Sequence, residues 1–179
     1  MIYVFLANGF EEVEALAPVD LLRRAGKQVT LVGIGGEEIQ GAHGITVRAD
    51  IPDVLFRDPN PEAILLPGGM PGAKNLDASP VVDTAIRVTA KNGGYVCAIC
   101  AAPYLLGKRG LLKGKKATCY PGFEPELTGA TVTGERLVQD DRFVTAMGPG
   151  VAVEYGFLLV ELLAGKDKAD ELRRGFISD

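Results

Sequence analysis

The sequence predicts an α/β fold, a three-layer sandwich with a mostly parallel sheet covered by helices on both faces. Three observations carry this. Apolar β-type runs alternate with helical stretches, which is the order a parallel sheet requires. Several of those runs are continuously apolar, as strands covered on both faces are. Glycine-bearing loops follow the runs, at the strand ends where such sheets bind ligands. Ile2 to Ala7 is the first strand. Val13 to Ala25 is helical, with Leu16, Val19, Leu22 and Ala25 about three apart and Gly26 as its C-terminal cap. Pro18 falls inside it and is expected to kink or restart the helix. Gln28 to Ile34 is the second strand, followed by a Gly33/Gly35/Gly36 turn, and Ile39 to Ala49 reads as a short antiparallel excursion. Ala63 to Leu66 is a buried strand. Ser79 caps a helix that has Pro80 at its first position and runs to about Gly93. Tyr95 to Ile99 is a strand, and Ala101 to Lys108 a helix. Lys116 to Tyr120 is another strand, and Thr131 to Ala146 forms strands around an Asp140-Asp141 turn. Val151 to Ala164 is a closing helix ended by Gly165.

The chain has 179 residues, 47% of them hydrophobic, and a net charge of -4. This describes one soluble globular domain over 1–179 with enough residues for a sizeable core. No basic patch suits stable nucleic-acid binding, and charges of both signs are interspersed. The apolar opening Met1 to Ala7 lacks a basic flank, soon meets Glu11 and Glu12, and is too short for a signal peptide or a membrane span. Three cysteines, an odd number, fit free thiols in a reducing cytoplasm.

The most informative segment is Gly94-Tyr95-Val96-Cys97-Ala98-Ile99-Cys100-Ala101-Ala102-Pro103. A strand-like run leads into Cys100, a helix-like run leaves it, and alanines stand two residues before and two after. That is the layout of a nucleophile elbow, a tight turn with small flanking residues. A helix start beside the thiol favours the thiolate, so a lowered pKa is expected. In a parallel sheet the loops Asn8-Gly9-Phe10-Glu11-Glu12-Val13-Glu14 and Pro67-Gly68-Gly69-Met70-Pro71-Gly72 open at the same edge. Cys100 is then the nucleophile and Glu14 the acid/base, its pKa raised by enclosure and by the neighbouring thiolate. The Gly69 and Ala101 N–H groups are oxyanion donors, with Gly68 lining the site. Arg24 and Tyr120 are further candidates for the pocket mouth.

Blander readings stand beside these. Cys97 and Cys119, within β-runs, read as core thiols. Glu11 and Glu12 read as favourable charges at a helix start. Pro67-Gly68-Gly69 alone is a turn. Cys97-x-x-Cys100 matches dithiol and zinc spacing, but there is no second pair and only one histidine, so no metal is expected. His43, in a polar Gly-Ala-His-Gly turn, reads as a solvated loop residue. Gly148-Pro149-Gly150 is either an anion-binding helix start or a loop brought close to neighbouring backbone. No nucleotide fingerprint follows the first strand.

Phe10-Glu11-Glu12-Val13-Glu14, Pro18-Val19-Asp20-Leu21-Leu22-Arg23-Arg24-Ala25-Gly26, Leu66-Pro67-Gly68-Gly69, Gly72-Ala73-Lys74-Asn75-Leu76, Ala98-Ile99-Cys100-Ala101-Ala102-Pro103 and Gly148-Pro149-Gly150 together resemble the ThiJ/PfpI superfamily. Within it the chain is similar to the branch of the Parkinson-disease protein deglycase and its YajL-type bacterial relatives. The resemblance covers essentially the whole chain. It implies a flavodoxin-like sandwich, usually a homodimer, with Cys100 as reactive cysteine, Glu14 as partnering glutamate, and Gly69 and Ala101 in the oxyanion region. It also implies cofactor-free glyoxalase activity, turning methylglyoxal into lactate, or deglycation of glyoxal-modified proteins and nucleotides. A non-enzymatic role as redox sensor or chaperone through oxidation of Cys100 is the alternative. The expected substrates are small aldehydes or glycated groups. The protease branch has histidine directly after the cysteine. Here that position is Ala101, so peptidase activity is not expected. Some branches also place a histidine where this chain has Tyr120, which leaves Glu14 as the only nearby acid/base.

Overall fold

Strand β1 (Ile2–Leu6) lies inside a seven-stranded sheet, and its end is one of three strand ends from which the site is built. The computed structural model describes residues 1–178. Helix α1 (Glu12–Arg24) follows β1. Then come β2 (Val29–Gly33), the hairpin β3 (Glu38–Gln40) and β4 (Thr46–Arg48), and the short edge strand β5 (Ile51–Pro52). The middle of the chain forms β6 (Ala63–Leu66), α2 (Gly72–Asp77), α3 (Pro80–Lys91), β7 (Tyr95–Ile99) and α4 (Pro103–Lys108). The remainder forms β8 (Lys116–Ala117), β9 (Thr131–Val132), β10 (Leu137–Asp140), β11 (Phe143–Ala146), α5 (Ala152–Ala164) and α6 (Lys166–Phe176).

The order across the sheet is β10-β11-β7-β6-β1-β2-β5, and every pairing is parallel except β10 with β11. Successive side chains alternate between the two faces. On β7, Cys97 and Ile99 pack with Ile2, Val4 and Leu6 of β1 against α1, α5 and α6. Val96 and Ala98 pack with Phe5 and Ala7 against α2, α3 and α4. The alternation thus divides the apolar residues into the two layers between sheet and helices. Ser79 accepts the Val82 N–H at 3.4 Å, so α3 starts on its expected cap.

Several elements differ from the sequence expectation. Helix α1 runs through Pro18 as one helix, so the proline marks no restart. The proline removes only the bond its N–H would give to the Glu14 carbonyl. The expected strand from Lys116 to Tyr120 shrinks to Lys116–Ala117, which pairs with β9 outside the main sheet. Beyond it, Thr118 N–H goes to the Thr145 hydroxyl at 3.0 Å and Tyr120 N–H to the Cys100 carbonyl at 2.8 Å, so those donors leave no ladder to continue. The helix expected from Ala101 begins at Pro103, because Ala101 and Ala102 are taken up by the turn after Cys100. Three elements were not foreseen: β5, α2 and α6. The last follows Gly165, which closes α5 with φ 94° and at once opens α6. Its charge-rich sequence hides a small apolar face of Ala169, Leu172 and Phe176, with Phe176 meeting Phe157 edge-on at 5.7 Å. Among the described residues no helix is long and apolar enough to cross a membrane.

Candidate active site

Three loops meet at the carboxyl end of β1, β6 and β7. The loop after β1 and the loop after β6 are laced together. Glu11 N–H donates to the Gly68 carbonyl at 2.9 Å, and Gly72 N–H to the Gly9 carbonyl at 3.1 Å. The fit is close enough to require glycine. At Gly69, with φ 84°, an added Cβ would lie 2.4 Å from Glu11 N and 2.6 Å from the Gly9 carbonyl oxygen.

The third loop is the elbow. Cys100 has φ 64°, a left-handed conformation that costs a side-chain-bearing residue on the order of 1–3 kcal/mol. The surroundings hold it there from both sides. Its N–H donates to the Ala146 carbonyl at the end of β11, and its carbonyl accepts from Tyr120, each at 2.8 Å. The backbone is therefore fixed in the pose that turns the half-buried side chain toward Glu14.

Glu14, in the first turn of α1, is 1% exposed. Its Oε2 accepts the Gly68 N–H at 2.9 Å, and its Oε1 is buried without a hydrogen-bond partner. A Cβ added to Gly68 would sit 2.6 Å from Cys100 Cβ and 2.8 Å from Glu14 Oε2, so thiol and carboxyl are neighbours across one glycine. Burial pushes the Glu14 carboxyl up to about 7, against the opposing pull of Cys100 and the Gly68 N–H. The upward direction is the one expected from sequence.

The Cys100 thiol moves the other way from the expectation. Burial first, and then the charge and hydrogen bond of Glu14, push it up to about 12. The Gly69 and Ala101 N–H groups hydrogen-bond the sulfur and pull it down, but do not win. The expectation of a lowered pKa rested on a helix beginning at the thiol. Helix α4 starts three residues later, so the sulfur receives two N–H groups and no full helix terminus. At neutral pH the resting pair holds its proton on sulfur when Glu14 is ionised. A thiolate forms where that proton is passed on.

The remaining candidates divide. Gly68, Gly69 and Ala101 are at the site. Tyr120 is beside it, and its exposed ring closes over Gly148, where an added Cβ would lie 3.3 Å from the ring. With Met147, Gly148, Pro149, Gly150, Val151 and Arg136 it lines a hollow of about 420 Å³. Of Gly148-Pro149-Gly150 only Gly148 is packed closely, against the Tyr120 ring and not against backbone, while Pro149 and Gly150 are exposed. Arg136 went unnoticed in the sequence because it lies just before a strand with no motif around it. Arg24 is not at the mouth. It sits in the last turn of α1, three turns from Glu14, bonded to Asp20 at 2.7 Å and stacked on Phe176. Its helical spacing carries it to the opposite end of the sheet. Glu12 is more than a favourable helix-start charge. It is buried, and its Oε1 accepts the His43 N–H at 2.8 Å. His43 has an exposed ring, as expected of a loop residue, but its Nδ1 lies 3.0 Å from Glu12 Oε2. Cys97 and Cys119 are both buried core thiols.

A family model described as DJ-1/PfpI matches residues 1–162, a span that contains the elbow, both laced loops and the sheet. The chain belongs to the DJ-1/PfpI family. Among DJ-1 relatives it is 36% identical over 177 residues to protein dj-1beta of Drosophila melanogaster, covering 97% of this chain and 95% of that one. It is 33% identical over 167 residues to a Caenorhabditis elegans protein named glutathione-independent glyoxalase DJR-1.2, covering 90% of this chain and 87% of that one. The structure of oxidized Toxoplasma gondii DJ-1 superimposes with a TM-score of 0.94 at 31% identity, over 99% of this chain and 97% of that one. The DJ-1/PfpI sandwich is the architecture built here from strand order and layer packing.

Because the folded protein holds a proton on Glu14 more tightly than the unfolded chain, with about 7 against an ordinary 4.5, the sign of its pH linkage is set. The contribution is fully present below about pH 4.5 and is lost as pH rises through about 7. The expected total is about 3 kcal/mol over that interval. Glu14→Gln removes it while keeping an oxygen for the Gly68 N–H. Denaturant melts from pH 4 to 8 should show that slope in the wild type and its loss in the variant, which becomes the more stable of the two at pH 8.

Proposed function

We propose that the protein is a cofactor-independent cysteine enzyme of carbonyl defence. It would convert methylglyoxal and water to lactate, or remove the same dicarbonyl from modified proteins and nucleotides. The observation that carries this reading is the buried Glu14 carboxyl set beside Cys100 across Gly68, with the Gly69 and Ala101 N–H groups at the sulfur. The name of the C. elegans relative supports it.

The proton bookkeeping follows from the pair. The Cys100 proton passes to Glu14 as sulfur attacks the aldehyde carbon, and one S–C bond forms. The carbonyl electrons move onto oxygen, where the Gly69 and Ala101 N–H groups stabilise the charge, and Glu14 delivers its proton there. Glu14, again a carboxylate, then takes a proton from the former aldehyde carbon, leaving an enediolate, and returns it to the adjacent ketone carbon, while the hydroxyl proton on the first oxygen passes to the former ketone oxygen and leaves a thioester carbonyl. The aldehyde carbon is oxidised and the ketone carbon reduced within one molecule, so no outside oxidant enters. The product is a lactoyl thioester, and water cleaves its S–C bond to release lactate and restore the thiol. In deglycation, Glu14 would protonate the departing amine instead.

The test is lactate formation from methylglyoxal by purified protein, with no glutathione and with a chelator present. Lactate above the buffer rate is expected; none would overturn the reading. A second reading is favoured by the same N–H donors, since they would also hold the oxygens of an oxidised sulfur. As a redox sensor, the protein would gain two oxygens at Cys100 under mild peroxide, read by intact mass and peptide mapping, and make no lactate.

A further inference from the structure

The first turns of α1 carry more acceptor capacity than α1 and the β6 loop satisfy. Glu14 Oε2 has the Gly68 N–H, but Oε1 is buried and unpartnered. The Glu14 carbonyl lacks its usual donor because residue 18 is proline. Buried acceptors without donors are rare in folded proteins, and internal water commonly satisfies them. A second orphan lies close by. Tyr155 on α5 is 1% exposed, and its hydroxyl is buried with no partner. The neighbouring Gly156 is pressed onto α1, where an added Cβ would come 3.1 Å from Pro18 Cα and 2.6 Å from Leu21 Cδ1. Helix α5 is thereby held against the turn that follows Glu14. Tyr155 lies in the core layer that holds Cys97 and Ile99, on the α1–α5 side of the sheet. Its hydroxyl is kept protonated well above the ordinary tyrosine range by burial and by the fields of Cys97 and Glu14. It is therefore a donor at every working pH.

We propose that Tyr155 is a positioning residue for Glu14, its hydroxyl donating through one internal water to the unpartnered Oε1. The linkage gives the carboxyl a second anchor, on the α5 side, opposite the Gly68 N–H. It leaves Glu14 one pose in which to receive the Cys100 proton. Its part in turnover rests on the function proposed above, but the linkage itself does not.

Because the donated hydrogen bond favours the ionised carboxyl, its removal raises the Glu14 pKa. The titratable groups that act on Glu14 are Glu11 on its own helix approach and Cys100 at the elbow, and Tyr155 on α5 feels both Glu14 and Cys97. Cys100→Ala removes the strongest coupling, so the comparison is made in that background. Carboxyl ¹³C chemical shifts give the Glu14 midpoint in Cys100→Ala and in Cys100→Ala with Tyr155→Phe. The expected result is a rise of about one unit with the phenylalanine, as for the loss of one hydrogen bond to a charged group. An unchanged or lowered midpoint overturns the proposal. If the double variant does not fold, the unsubstituted protein decides. A high-resolution crystal structure should show ordered water within hydrogen-bond distance of both Tyr155 Oη and Glu14 Oε1, and a dry gap between them overturns the proposal. Both readouts need no turnover, so failure here leaves the glyoxalase reading intact, and absence of lactate leaves this one intact.

Discussion

Cys100→Ser should lower methylglyoxal turnover by a factor of about 10³ or more while leaving the fold in place. Serine keeps the size, and its backbone can take the same φ of 64° under the same two bonds from Ala146 and Tyr120. What changes is the acid. A hydroxyl ionises several units above a thiol, and a carboxyl poised at about 7 cannot draw off its proton to any useful extent. The oxyanion donors and Glu14 remain, so a small residual rate is expected. The measurement is lactate production at saturating methylglyoxal, paired with a thermal melt to show that the variant is folded. Activity within a factor of two of wild type in a folded variant would remove the sulfur from the chemistry and end the enzymatic proposal.

The second large effect is on stability. Gly69→Ala should destabilise the protein by about 3 kcal/mol, from two sources. A left-handed φ of 84° costs an alanine roughly 1 kcal/mol relative to glycine. The added methyl would also meet three backbone atoms, Glu11 N, Gly9 O and Phe10 C, all closer than 3 Å. Backbone cannot rotate away as a side-chain tip can, and such overpacking typically costs 1–3 kcal/mol. For a chain of this size the sum corresponds to a drop in Tm of roughly 10 °C. Gly93→Ala is the control. Its φ of 78° carries the same conformational penalty, but nothing lies within 4 Å of the new methyl. A melt in which the two variants lose the same amount would show that the lacing of the two loops is not what makes Gly69 indispensable. The Gly69 N–H also points at the sulfur, so Gly69→Ala should lose turnover even where it is folded.

The architecture and the elbow were legible because both are written in local pattern. Buried strands between helices need continuous apolar runs, and a crowded turn needs small residues such as Ala98, Ala101 and Ala102 around Cys100. The meeting of Glu14, Gly68 and Cys100 was legible one step further out, since parallel strands bring their following loops to one edge. What escaped depends on distances that no spacing records. The resting proton of Cys100 is decided by how deeply Glu14 is enclosed beside it and by where α4 begins. Arg24 shares a helix with Glu14, but ten residues of helical rise separate their ends of the sheet. Glu12 and His43 are brought together by the β3–β4 hairpin, whose strands give no hint of the fold-back onto α1. In the sequence Tyr155 is one aromatic in an apolar helix, with no motif around it. Its hydroxyl acquires meaning only when α5 is set against the proline turn of α1.

The outermost strand on one side of the sheet, β5, is two residues long and ends in Pro52. A proline presents no N–H, so a foreign strand approaching that margin finds almost nothing to bond to. Partly unfolded chains with exposed β-segments are the natural partners of an open sheet margin. A margin so abbreviated lets a large parallel sheet persist in that company without seeding fibrils.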